Sequence, residues 1–94
     1  MLNKVIIEGE IDSFRWSSSK VGFYVSIKQH RMFGKTKFTD YFMLYANKPL
    51  SDQLEAYVKE YKTIAVEGVL RTYQDYKTKQ WRVAIEVLEI IINK

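Results

Sequence analysis

The stretch LSDQLEAYVKEYKTIAVEG, residues 50–68, decides the fold because its apolar period changes midway. Leu50, Leu54, Tyr57, Val58 and Tyr61 fall at i, i+4, i+7, i+8 and i+11, one apolar stripe of a helix, and Pro49 suits its first position. After residue 61 the spacing drops to two. Ile64, Val66 and Leu70 alternate with Ala65, Glu67 and Arg71 around Gly68, a half-buried strand with a glycine where a barrel wall turns.

Upstream of the helix the same alternation recurs three times. Val5, Ile7 and Ile11 oppose Lys4, Glu8 and Glu10 in a strand spanning Leu2 to Ile11; the four serines in Asp12 to Lys20 read as a loop carrying Arg15 and Trp16. Phe23, Val25 and Ile27 alternate with Tyr24, Ser26 and Lys28. Beyond a turn at Gly34, Phe42, Leu44 and Ala46 alternate with Tyr41, Met43 and Tyr45. The second face of that third strand carries rings instead of charges. Downstream, Tyr73 to Gln80 is a polar turn and Trp81 to Ile91 a β-branched fifth strand.

Three strands, a helix and two strands, in that order, predict an all-β five-stranded Greek-key barrel of the OB type with one helix between strands three and four. Ninety-four residues hold one such domain, residues 1–94, and no separate catalytic module. The chain has no cysteine, which excludes disulfides and Cys-based zinc sites, and one histidine, His30, which reads as a loop or phosphate-contacting residue. No nucleophile with its base, metal cluster or phosphate-cradling glycine loop can be assembled. The sequence therefore predicts neither an enzyme nor a cofactor or metal. The early carboxylate Glu8 interrupts any signal-peptide run, and Glu86 and Glu89 interrupt the other long apolar segment. A cytoplasmic, nucleoid-associated chain without membrane contact is expected.

Several short runs add a resemblance. Met1-Leu2-Asn3-Lys4-Val5-Ile6-Ile7-Glu8-Gly9, the helix followed by Ile64-Ala65-Val66-Glu67-Gly68, Leu70-Arg71-Thr72, Thr39-Asp40-Tyr41 and Glu86-Val87 together resemble the bacterial single-stranded-DNA-binding protein family. The resemblance implies the OB fold, single-stranded DNA as partner, roles in replication, recombination and repair, and a homotetramer built of dimers. It also implies stacking aromatics on the third strand, matching Tyr41, and in the two hairpins, the regions of Phe33 and Tyr76. The chain departs from the family at Asn47-Lys48, where an aromatic-glycine pair is usual, and at Tyr61, where a glycine ends the helix. It also stops at Asn93-Lys94 without the family's acidic tail, so tail-mediated protein recruitment is not expected.

An unpaired strand offers a phosphate on each nucleotide and an unstacked face on each base, so a sequence-blind binder needs cations interleaved with rings. The net charge of +4, two tryptophans, seven tyrosines and five phenylalanines suit that partner. Lys28, Arg31, Lys35 and Lys37 surround Phe33 in one hairpin; Arg71, Lys77, Lys79 and Arg82 interleave with Tyr73, Tyr76 and Trp81 in the other. With Arg15, Trp16, Tyr41 and Tyr45 these are the candidate nucleic-acid-binding residues. Each ring has an alternative use in packing or an interface, and Trp81 shares strand parity with Val83, Ile85 and Val87, which would let it cover the core. Hairpin lysines also serve as solvated turn residues. A primosome-type or RNA-binding OB module, and a protein-interaction domain with the tyrosine face as its interface, stay open beside DNA binding. Ile6 among Lys4 and Glu8 marks the first strand for self-association, as a dimer or a tetramer.

Overall fold

Alternation of β-branched and polar residues yields five long strands, because each can bury one face only by closing on the others. The structure, a computed structural model, describes residues 2–91, so Asn93-Lys94 and the expectation resting on that terminus lie outside the described residues. The elements are β1 (Val5–Trp16), β2 (Gly22–Phe33), β3 (Thr36–Asn47), α1 (Leu50–Glu60), β4 (Thr63–Gln74) and β5 (Trp81–Ile91). They close a barrel in the order β1-β2-β3-β5-β4. The all-β OB architecture and the place of the helix are as the sequence predicts.

The core is the inward set of each strand. Phe23, Val25 and Ile27 of β2 meet Leu44 of β3, Ile64 and Val66 of β4, and Ile85 and Val87 of β5, all essentially sealed from solvent. Leu54 and Val58 of α1 close one end of the barrel, with Leu50 and Tyr57 partly buried against it. Tyr61 ends the helix as its C-cap and is half exposed, its ring 4.5 Å from that of Tyr57. Pro49 stands one place earlier than expected, as the N-cap.

Two corrections concern strand ends. The segment Asp12 to Trp16 is strand, not loop, and the true connection is only residues 17–21. The cause is a bulge: Ile11 pairs with Ile27 and Ser13 with Ser26, leaving Asp12 unpaired. One extra residue reverses the parity of everything after it. Arg15 thus pairs with Tyr24 on the outer face, while Trp16 turns inward onto Phe23. Likewise Tyr73 and Gln74 belong to β4, and the turn that follows is shorter than Tyr73 to Gln80.

Gly68 sits where β4 meets a second bulge, at Leu88 of β5: Glu67 pairs with Glu89, but Gly68 pairs with Val87. A Cβ there would stand 2.2 Å from the Glu86 carbonyl oxygen, a separation no side chain tolerates. The β2–β3 connection is the two-residue turn Gly34-Lys35, with Gly34 at φ 62°, a conformation that glycine adopts without steric penalty.

Candidate nucleic-acid interface

The barrel closes through a short seam. Strands β3 and β5 run parallel and pair only at Leu44↔Ile85 and Tyr45↔Glu86. Beyond it the strands separate, so the β2–β3 and β4–β5 hairpins project as two arms with a groove of about 370 Å³ between them. Tyr41 and Met43 line one wall and Tyr73, Trp81 and Arg82 the other, with Ser26 beside Met43. Residues forty positions apart in sequence thus share one cleft.

Trp81 does not cover the core. It has the parity of Ile85, yet the wall has already ended at Val83, which is 61% exposed, and Trp81 is 70% exposed. Tyr41, 61% exposed, faces the same cleft. Tyr45 lies higher on β3, half-buried, its ring 6.0 Å from that of Tyr24. Burial first, and the Glu86 carboxylate second, raise the Tyr45 phenol above its ordinary range, so it is neutral at neutral pH. Sequence reasoning named Tyr45 but missed Tyr24. The Gly34-Lys35 turn carries the signal, since pairing counted back from Phe33↔Thr36 sets Tyr24 directly opposite Tyr45.

Other candidates lie elsewhere. Phe33, 76% exposed, and Arg31 have the opposite parity to Tyr41 and occupy the far face of their arm, where the guanidinium sits 4.8 Å over the Phe38 ring. Tyr76, 94% exposed, stands at the tip of the other arm. Trp16 is packed 5.0 Å from Phe23, and its Nε1 donates to the Glu55 carboxylate of α1, which removes it from the outer face. His30 is on β2, not in a loop, with Nδ1 3.0 Å from the Thr39 hydroxyl and Nε2 3.7 Å from Glu10.

The cations divide into two kinds. Lys28 meets Asp12 at 3.6 Å, Arg31 meets Asp40 at 2.7 Å, Arg71 meets Glu86 at 2.9 Å and Arg82 meets Asp75 at 3.3 Å. Such pairs are exposed and screened by solvent, so each is weak and a phosphate can displace the carboxylate. Among the described residues Lys35, Lys37, Lys77 and Lys79 have no carboxylate within 4.0 Å. Asp75 accepts from the backbone N–H groups of Lys77 and Thr78, which hold its carboxyl below the usual range and fix the arm's tip. No group of three or more His, Asp or Glu side chains converges on a metal site among the described residues, and no helix there is long and apolar enough to cross a membrane.

Comparison with known proteins follows the same line. The crystal structure of a small single-stranded DNA binding protein from Mycoplasma pneumoniae superposes with a TM-score of 0.96 at 51% identity, over 100% of this chain and 96% of that one. A Plasmodium falciparum SSB in complex with ssDNA shares the fold at a TM-score of 0.64 and 13% identity, over 93% of this chain and 87% of that one. Uncharacterized protein MG376 of Mycoplasma genitalium is 52% identical over 91 residues, 97% of this chain and 88% of the relative. The description Protein of unknown function (DUF3217) matches residues 1–94. The chain therefore belongs to the DUF3217 family, whose barrel is the OB fold of the single-stranded-DNA-binding proteins.

Proposed function

We propose that this protein binds single-stranded DNA without sequence preference and without chemistry of its own. The observation that carries the reading is the cleft: two exposed rings, Tyr41 and Trp81, line one groove between the hairpin arms, and those arms carry Lys35, Lys37, Lys77 and Lys79, which have no carboxylate within 4.0 Å among the described residues. Bases entering it stack, and phosphates leaving it meet Lys35 and Lys37 on one arm and Lys77 and Lys79 on the other. The likeness to the Mycoplasma pneumoniae protein, at 51% identity, supports DNA as the partner. Protection of unpaired strands during replication, recombination or repair, in the cytoplasm at the nucleoid, is the role such binding serves.

Fluorescence titration tests this. Oligothymidine should quench Trp81 and leave Trp16 unmoved, duplex of equal length should change neither tryptophan, and Trp81→Phe should abolish the signal while binding persists. Lys35→Ala should lower the slope of log affinity against log salt by about one, with little effect at any particular base. No response at low salt would leave protein interaction as the function of the tyrosine face. Competition between matched DNA and RNA oligomers separates the RNA-binding alternative.

Self-association completes the proposal. Ile6, 63% exposed, stands on the outer face of β1, and Leu88, 54% exposed, on the neighbouring end of the sheet, apolar surface that a second copy would cover. Light scattering should give a dimer or tetramer, and Ile6→Glu should shift it toward monomer. A wild-type monomer at all concentrations would overturn this part.

A further inference from the structure

Arg15 differs from the other arginines in what holds it. Arg31, Arg71 and Arg82 each direct Nε at a carboxylate. The Arg15 guanidinium instead lies 5.1 Å from the centre of the Tyr24 ring, and among the described residues no carboxylate stands within 4.0 Å of it. Stacking uses the flat face of the group and leaves the N–H donors along its edge for an external acceptor. The Asp12 bulge is what brings this side chain to the outer face, opposite Tyr24.

Below the stacked pair is a small depression of about 90 Å³ lined by Ser13, Phe14, Arg15, Tyr24, Ser26 and Met43. Its lining carries two serine hydroxyls, the Tyr24 phenol, a thioether and the Phe14 ring, and no acid. Ser26 and Met43 also line the cleft, so the two hollows adjoin at those side chains and outline a track over the outer face. From Tyr41 to Tyr45 the track climbs four residues of β3, about 13 Å, and then crosses two strand spacings, about 10 Å, to Arg15.

We infer that Arg15 and Tyr24 form a second subsite for the nucleic acid, in which the guanidinium edge takes a backbone phosphate and the depression over Ser26 and Met43 takes the adjoining base. The strand thus leaves the cleft across the outer face of β3 and β2 and ends at β1. Polarizable Met43 is the floor on which a base of any identity can slide, and Tyr24 holds the arginine flat while the phosphate comes and goes. This inference rests on the single-stranded-DNA reading.

A ladder of oligothymidines lengthened one nucleotide at a time tests it, with affinity measured by anisotropy at two salt concentrations. For the wild type, affinity should rise until the track is filled and then level off. In Arg15→Ala the plateau should come at a shorter oligomer, the longest oligomers should bind roughly tenfold more weakly, and the salt slope should fall by about one. Arg15→Lys should restore the salt slope but not the full affinity, because an ammonium does not stack and donate in one plane. An unaltered plateau and affinity in Arg15→Ala, with Trp81→Ala weakening every oligomer, would overturn the subsite and leave the cleft standing. Absence of binding by the wild type at any length would overturn both.

Discussion

Replacing Tyr41 and Trp81 together by alanine should weaken oligothymidine binding on the order of a thousandfold while the barrel stays folded. Each ring contributes about 1 to 3 kcal/mol when a base stacks on it, and the two stand on opposite walls of the cleft, where each meets its own base. The single substitutions should therefore combine nearly additively. Both side chains are mostly exposed, so truncation opens no core cavity, and thermal unfolding should move little. Anisotropy with thymidine, cytidine and adenosine homopolymers is the measurement. Equal losses on all three are expected of stacking; a loss confined to one base would mean that the cleft reads base edges. A double variant that binds normally would remove the cleft from the function.

Replacing Gly68 by alanine should have the largest effect on the fold itself. The added methyl would meet the Glu86 carbonyl oxygen at 2.2 Å, and that oxygen is backbone, held by the β4–β5 ladder beside the Leu88 bulge. Neither strand can yield without shifting register, which would carry Ile85 and Val87 away from the core. A cost of about 3 kcal/mol or more follows, against a total of roughly 5 to 15 kcal/mol for a domain of this kind. The melting temperature should fall by roughly 15 °C or more. Gly9→Ala is the comparison: its nearest contacts are 3.0 Å to a carbonyl oxygen and 3.1 Å to the end of the Ile27 side chain, so a smaller loss is expected. An unchanged melting temperature for Gly68→Ala would show that the strands part there easily.

Period was the part of the fold that the sequence made legible. The helix and β4 were readable because Leu54 and Val58 repeat at helical spacing, and Ile64 and Val66 at strand spacing, whatever their partners are. Strand ends were less so. A bulge is defined by two residues facing one on another strand, so nothing in the residues around Asp12 announces that Arg15 turns outward and Trp16 inward. Exposure at Trp81 was hidden for a related reason. Parity tells which side of a sheet a residue takes, not whether anything stands across from it, and β3 leaves β5 just past Ile85. Of the candidate site, Tyr41, Tyr73, Trp81 and Arg82 come together as an interleaving of rings and cations suggests, while Phe33 and Arg31 fall on the other face of their arm. Tyr24 was written in the same alternation as its neighbours and gained its place only from its partner across the hairpin.

The two-pair seam between β3 and β5 bears on how a ligand could arrive. Because the arms part immediately beyond it, the cleft is a trough open along its length, not a ring. On the proposed function, a nucleic acid would be laid in sideways at any internal point and lifted out the same way, which would make circles and gaps between duplex segments as accessible as free ends.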